Sequence, residues 1–428
     1  NMSGFLGMRG TGDWVTDQRP KNWREGILYL WPNGMAPLTA ILSKMKSQSL
    51  DDPEFNWWTK VLPTQRATVT GVYTNILLSS AYTSGGVAGD SLYVKMAEAD
   101  ADQFRVGHQV LLRDASHYDV DVNAKVTAVV KNGASSYIAV KLLEADDNGA
   151  STDLSDCDTA LIVGNINPEG GPMPDAMAYD PTKINNYTQI FRNSLSITRT
   201  ARKTRLRTGD AYKEAKRECL ELHSIEMEKA FLFGIATEGT GSNGQPERTT
   251  QGLIPTIKAY GTVDDYELTA DYDDTTWIAG GADWLNEKLE IMFRYGSREK
   301  LAFCGSGALL GINKLVSSIG EFSYTPMTKA YGIQVVEWVT AFGKINLITH
   351  PLFSYETTTR NSMAIFEPEN LLYRYIDDTT FYAEGDKQNT GRTRTDSTEE
   401  EFLTECGLEF HHPLSWGWLN GVGKDNPA

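Results

Sequence analysis

Four groups of residues have types and spacings that could support chemistry. The first is Gly305-Ser306-Gly307-Ala308-Leu309-Leu310-Gly311, which follows the strand-like run Lys300 to Cys304 and opens a helical pattern. Such a turn can present backbone amides and a helix N-terminus to a dinucleotide pyrophosphate. The spacing here is Gly-x-Gly-x-x-x-Gly, deep in the chain, with no regular series of parallel-strand and helix units around it. A strand-to-helix turn is the better reading, and an NAD(P)-type oxidoreductase built on this turn is the alternative. The second group is His108, His117, His223, His350, His411 and His412, none in a His-x-x-x-His or His-Glu-x-x-His spacing. His223 stands beside Glu221 and Glu226 in a helical stretch and is expected to be a solvated, salt-bridging residue. His411-His412 falls in a strand-like run, where neighbours face opposite ways and cannot share a metal. The third group is the acid pairs Asp146-Asp147, Asp264-Asp265, Asp273-Asp274 and Asp377-Asp378. Adjacent carboxylates can hold a hard cation, but none fits a calcium loop, so solvated turns are expected. The fourth is Cys157, Cys219, Cys304 and Cys406, too far apart for a Cys-x-x-Cys unit and expected as buried free thiols. Asn186-Tyr187-Thr188 matches a glycosylation acceptor with no secretory signal to make it relevant. No catalytic, cofactor-binding or metal-binding residue is expected, and no enzyme activity.

The elements that would position these groups follow from patterning. The 428 residues are 40% hydrophobic and 22% charged, enough apolar material for two or three domains. No run approaches the roughly 20 apolar residues of a membrane helix, so a soluble protein without a membrane partner is expected. Residues 1–62 are rich in Gly, Asn, Pro and Trp, with one short helix expected at Ala36 to Lys46. Trp23 and Trp31 precede that helix, and Trp57 and Trp58 follow it. Aromatic anchors on a polar strand suit an arm that docks on something else. Short alternating runs follow: Ser91 to Val94; Val110 and Leu112; Ala124, Val126, Ala128 and Val130; and Ile138, Val140 and Leu142. They predict a small β-module over about 88–165, a barrel or sandwich inserted into a loop of something larger.

Beyond it, Asp210 is a natural N-cap for a helix over Ala211 to Phe233 that contains no Gly or Pro and is closed by Gly234. At 1.5 Å per residue this helix spans about 35 Å. Its expected apolar stripe is Ala215, Cys219, Leu222 and Ile225. Residues 251 to about 352 mix helix and strand, and a last strand-like run covers Glu401 to Leu419. Net charge is −16, which argues against a surface that grips nucleic acid all over. Arg192, Arg199, Arg202, Lys203, Arg205 and Arg207 are the one strong reversal, with no acid before Asp210.

The order of parts resembles the major capsid proteins of tailed bacteriophages, which have the HK-ninety-seven-type fold. Asn186 to Arg192 with Ser196 to Ala201 looks like the entry to their spine helix, and Glu226 to Gly234 like its end. Tyr331 to Val336 looks like one of their A-domain strands, and Glu405 to Phe410 like the closing P-domain strand. The resemblance implies an α+β fold: an N-terminal arm over 1–62 and an E-loop over 63–190 carrying the β-module. It further implies a P-domain over 191–250 with the spine helix at about 210–233, an A-domain over 251–352, and return strands over 353–428. It also implies self-assembly into hexamers and pentamers of an icosahedral shell, with a scaffolding protein, a portal and a decoration protein as partners and weak contact with packaged double-stranded DNA. The protein would reside in the virion after assembly in the host cytoplasm. A tail-tube or decoration protein is a second alternative, opposed by the long helix. Trp23, Trp31, Trp57, Trp58 and the six basic residues are then candidates for contacts between subunits. The basic cluster is best placed against an acidic patch on a neighbouring copy.

Overall fold

The computed structural model describes residues 46–115, 121–146, 153–204, 209–319, 324–326, 336–383 and 397–427. The chain divides into two compact units, Lys60–Thr182 and the remainder.

The Lys60–Thr182 unit is a closed barrel. Its strands are β3 (Arg66–Tyr73), β4 (Ser91–Met96), β5 (His108–Arg113), β6 (Asp121–Val130), β7 (Tyr137–Leu142) and β8 (Thr159–Asn165), in the order β3-β4-β7-β6-β5-β8. Every neighbouring pair is antiparallel. Alternation sets the inward face, because side chains two residues apart point the same way, and in β7 the intervening residues Tyr137 and Ala139 are buried as well. Val94, Val110, Ala124, Val126, Ile138 and Val140 are fully buried inside. Closure leaves no strand edge to template unwanted pairing. Two expectations need correction. The module starts at Arg66, not near residue 88, because β3 pairs with both β4 and β8 and closes the ring. The alternation of β6 also breaks after Val126, where a register shift displaces Ala128 and Val130 from the inward face.

The second unit holds two larger sheets. One has the order β1-β19-β20-β10, built from β1 (Ser47–Ser49), β10 (Gln189–Thr198), β19 (Leu371–Tyr382) and β20 (Ser397–Phe410). The other has seven strands in the order β13-β21-β18-β14-β17-β16-β15. These are β13 (Thr262–Asp265), β14 (Glu299–Cys304), β15 (Tyr324–Pro326), β16 (Val336–Val339), β17 (Lys344–Thr349), β18 (Met363–Phe366) and β21 (Gly417–Asn420). Two pairs complete the set: β2 (Glu54–Thr59) with β9 (Thr182–Tyr187), and β11 (Thr237–Thr240) with β12 (Pro246–Thr249). The helices are α1 (Glu98–Ala101) in the barrel unit, then α2 (Arg199–Lys203), α3 (Ala211–Phe233), α4 (Leu253–Tyr260), α5 (Trp277–Phe293), α6 (Ser306–Ile319) and α7 (Pro351–Tyr355).

β14 and β18 are apolar on both faces, and the seven-stranded sheet therefore borders two cores. Leu301, Phe303, Ala364 and Phe366 join one core with Met227, Phe231 and Leu232 of α3 and Leu253, Ile254 and Ile257 of α4. Ala302, Cys304, Met363 and Ile365 join the other with Trp284, Leu289 and Met292 of α5 and Ile312 of α6. This sheet takes β13 to β17 from one stretch of chain and β18 and β21 from a later one, so no domain border falls at residue 352.

The run Glu401 to Leu419 is two strands in two different sheets. β20 ends at Phe410, His412 adopts φ +52, and Pro413 starts a short 3₁₀ turn before β21. His411 and His412 therefore do not alternate along a strand. Within β20, Gly407 is required by close approach: a Cβ there would lie 2.8 Å from the Tyr187 carbonyl and 3.1 Å from the Phe55 ring.

The helix α3 forms as capping predicts, with the Asp210 carboxylate accepting from Tyr212 N at 3.0 Å. Its buried stripe differs from the one expected. Cys219, His223, Met227 and Phe231 face inward at four-residue steps, whereas Leu222 is 56% exposed. Of the helix expected at Ala36 to Lys46, all but Lys46 lies outside the described residues, as does the part of Ile333 to Val339 before β16.

A barrel with its own core should fold by itself. Residues 60–182 produced alone are expected to unfold in one cooperative thermal transition, checked by circular dichroism. A non-cooperative melt would show that the unit depends on the rest of the chain.

Candidate assembly surface

β2 sorts the two neighbouring tryptophans by strand alternation. Trp57 turns inward and packs edge-on against Phe410, ring centroids 4.9 Å apart. Trp58 faces outward and is 65% exposed. Trp57 is thus part of its own chain's core, which corrects its candidacy as a contact between subunits, while Trp58 keeps a large apolar face open. Trp23 and Trp31 lie outside the described residues.

The basic cluster begins at the end of β10. Ten consecutive pairs align β10 antiparallel with β20, setting Ser196 opposite Glu399, Leu195 opposite Glu400 and Ser194 opposite Glu401. The acidic start of β20 therefore lies beside the cluster in the same chain. Arg192 donates from Nη2 to Glu401 Oε2 at 2.6 Å and from Nε at 3.1 Å. Thr198 caps α2 by accepting from Ala201 N, and α2 carries Arg199, Arg202 and Lys203 on exposed turns. The Arg202 guanidinium lies 4.7 Å from the Tyr212 ring centre, and the Tyr212 hydroxyl donates to Glu400 Oε2 at 2.5 Å. That bond holds the Tyr212 proton more tightly than usual. Arg192 finds an acid within its own chain. Arg205 and Arg207 lie outside the described residues.

The groups singled out for chemistry take structural roles. At the Gly305 turn, Gly305 N donates to Ser362 O at 3.1 Å, Ala308 N to Arg360 O at 3.1 Å, and Ser306 N to Ser354 Oγ at 3.2 Å. These amides are those a phosphate would need, and the protein already uses them. A Cβ at Gly305 would collide with the Arg360 carbonyl, and one at Gly311 with Gly423. The glycines serve backbone packing.

His223 is buried, not solvated, because the sheet beneath α3 supplies partners. Its Nδ1 lies 2.6 Å from Asn193 Oδ1 and its Nε2 lies 2.8 Å from Thr404 Oγ1. Burial lowers its pKa, with the Glu226 charge opposing. His350 accepts from Leu352 N at Nδ1, so Nε2 carries the proton and donates to Glu228 Oε1 at 2.6 Å. Sequence reasoning did not find this buried pair.

Two of the acid pairs are likewise not solvated turns. Asp146 is buried and accepts from the Tyr82 hydroxyl at 2.6 Å. Burial would raise the Asp264 carboxyl, but hydrogen bonds from Lys288, Trp284 and Thr269 outweigh it and hold the group below the usual range. Asn186 is fully buried, donating to Leu408 O at 2.7 Å and accepting from Gln251 N at 2.9 Å, which excludes a glycan there in the folded chain. All four cysteines are buried free thiols, and burial pushes Cys157, Cys304 and Cys406 up to about 12.

What remains is a surface suited to assembly, and the comparisons agree. The family model described as SU10 major capsid protein matches residues 10–423. The chain belongs to the SU10 major capsid protein family. The major capsid protein of Pseudomonas phage PaMx41 is 24% identical, covering 99% of this chain and 97% of that protein. Among solved structures, one from Microbacterium phage Oxtober96 is similar over 96% of each chain at 10% identity, with a TM-score of 0.42. The capsid of a native GTA particle is similar over 96% of this chain and 97% of that one, at 9% identity and a TM-score of 0.39.

As a member of this family the chain is a phage major capsid protein that builds the capsid shell and is part of the virion. The described architecture is α+β with a small closed barrel, as expected from the order of parts. The two-sided sheet also carries a buried ion pair. Lys300 Nζ lies 2.5 Å from Glu367 Oε1, both fully buried, and Glu367 also accepts from Ser297 N and Ser415 Oγ. Burial lowers the Lys300 pKa, opposed by Glu367.

Two predictions follow for the unassembled chain. Lys300→Met strands a buried carboxylate and is expected to cost about 3–5 kcal/mol. Adding Glu367→Gln should recover part of that loss, measured by denaturant unfolding of both variants. An equal loss in the double variant would deny the coupling. For His223, the folded pKa is depressed below about 6.5, so its contribution is full above that value and is lost as pH falls through the folded pKa. The thermal midpoint should drop between pH 7.5 and pH 5.5, and His223→Gln should flatten that slope. An unchanged slope would remove His223 as a cause.

Proposed function

We propose that this capsid protein assembles into hexamers and pentamers that close an icosahedral shell around double-stranded DNA. Assembly occurs in the host cytoplasm with a scaffolding protein and a portal, and a decoration protein is a further partner. The shell works through interfaces, not catalysis, and the internally satisfied amides of the Gly305 turn support that reading over an oxidoreductase. No helix among the described residues is long and apolar enough to cross a membrane.

The observation that carries the proposal is the position of β1, the first described strand. Residues 47–49 form β1, which pairs parallel with β19 at the edge of the four-stranded sheet: Ser47 opposite Tyr373, Gln48 opposite Arg374, Ser49 opposite Tyr375. Everything before Lys46 therefore starts from a sheet edge, the position from which a segment can reach a neighbour. We assign residues 1–45 as the arm, with Trp23 and Trp31 as its anchors. Residues 60–182 are the E-loop with its barrel, α3 is the spine of the P-domain, and the seven-stranded sheet is the A-domain. The exposed Trp58, next to the barrel unit, is a second anchor. Lys203, Arg205 and Arg207 meet acidic groups of a neighbour.

Electron microscopy of the purified or co-expressed chain should show rings or shells. Deleting residues 2–45, which spares β1, should reduce shells at least tenfold and leave the thermal midpoint within a few degrees. Trp58→Ala should do the same more weakly. Normal shells from the deleted chain would refute the arm assignment, and a strictly monomeric full chain, with or without scaffold, would refute the assembly reading.

A further inference from the structure

Three lysines of the barrel lie on one wall. The strands β4, β7 and β6 are adjacent, and their outward residues include Lys95, Lys141 and Lys125. Lys125 and Lys141 are direct cross-strand partners, and Lys95 stands opposite Tyr137. Like charges facing each other across a strand pair are unfavourable by themselves. The barrel's described ion pairs are Arg113 with Asp121 and Lys131 with Asp102, so neither relieves this wall. Tyr93 lies on β4 two residues before Lys95, and its cross-strand partner Tyr73 extends the wall onto β3. Partly exposed rings beside ammonium groups that have no ion pair among the described residues make a patch that fits an acidic surface with an apolar centre.

The other unit of the chain offers such a surface. From Asp264 to Asp283 there are seven acids and no Lys or Arg. Lys288 pairs with Asp264 and Lys424 with Glu267. Asp271, Asp273 and Asp274 are exposed and belong to no described ion pair. In the same stretch Leu268 is 82% exposed and Ile278 58% exposed. The two patches differ, so contact between copies is head-to-tail, the kind that generates rings and not only pairs.

We propose that the lysine wall of the barrel docks on the Asp271–Asp274 surface of a second copy of this chain. This rests on the self-assembly reading and adds which surfaces meet. Lysines would face carboxylates, and Tyr73 and Tyr93 would cover Leu268 and Ile278.

The test uses full-length chains and sedimentation of assembled material. Variant one is Lys95→Glu, Lys125→Glu and Lys141→Glu; variant two is Asp271→Lys, Asp273→Lys and Asp274→Lys. Each alone should assemble at least tenfold less than the unchanged chain. In an equimolar mixture every contact between unlike copies regains opposite charges, so assembly should return to at least half the unchanged level. Either variant assembling normally alone overturns the proposal, as does a mixture that stays unassembled. Circular dichroism checks folding. Should variant one fail to fold, Lys95→Gln with Lys125→Gln and Lys141→Gln replaces it. The expected result is then a several-fold loss of assembly alone, and normal assembly would overturn the proposal. If the unchanged chain itself stays unassembled, the self-assembly reading fails, a different outcome from failure of this contact alone.

Discussion

β14 and β18 have no face that tolerates water. Along β14, Leu301 and Phe303 enter one core while Ala302 and Cys304 enter the other, and β18 divides in the same way. The large ones, Leu301, Phe303, Met363, Ile365 and Phe366, are each worth about 1.5–3 kcal/mol when fully buried, so leaving either face open would forfeit at least two of these. The sheet must be covered twice. On one side α3 and α4 supply the cover, and on the other α5 and α6 do. The end of the chain serves both: Trp416 and Trp418 join the first core and Leu419 the second. This accounts for the break at His412 and Pro413. β20 belongs to the four-stranded sheet, and the chain must turn sharply to deliver those residues to the other one.

Burial on both sides leaves polar groups with few options. An ion taken out of water costs several kcal/mol unless a partner and further hydrogen bonds compensate. Lys300 enters β14 at its second position, where the strand is already covered, and Glu367 lies just past the end of β18 to meet it. Glu228 on α3 reaches His350 at the start of α7, joining the long helix to the end of β17. His223 ties the same helix to β10 and β20. These contacts convert a non-directional apolar interface into one with a fixed position along the helix.

Local order was legible in the sequence wherever one strand or one helix sufficed to express it. Val122, Ala124 and Val126 alternate with polar neighbours along β6, and the barrel follows. Asp210 and Gly234 bound a helix because capping is a local matter. Positions set by distant partners were not legible. The stripe of α3 turns on His223, whose partners Asn193 and Thr404 are 30 and 181 residues away. Arg192 and Glu401 are 209 residues apart, so their pairing within the chain has no local signature. Trp57 and Trp58 could have been separated by alternation alone. Composition drew attention to both, and only strand periodicity distinguishes the anchor in the core from the one outside.

A subunit of charge −16 repels its copies, and the repulsion limits where they can meet. With a Debye length of about 8 Å at physiological salt, charges on distant parts of two copies are screened, while groups in contact are not. The decision about which surfaces join is therefore made over a few ångströms, by local exceptions to the overall sign. One exception, at the end of β10, is partly neutralised by β20 within the chain, where Arg192 meets Glu401, and this contributes to the fold. The lysine wall of the barrel has no described internal acid, and it stands on a unit with a core of its own. Neither core of the other unit includes a barrel strand, so changing the barrel's outward residues alters neither core. The sequence can thus adjust how copies meet, through the barrel's outward residues, without disturbing the double cover on which β14 and β18 depend.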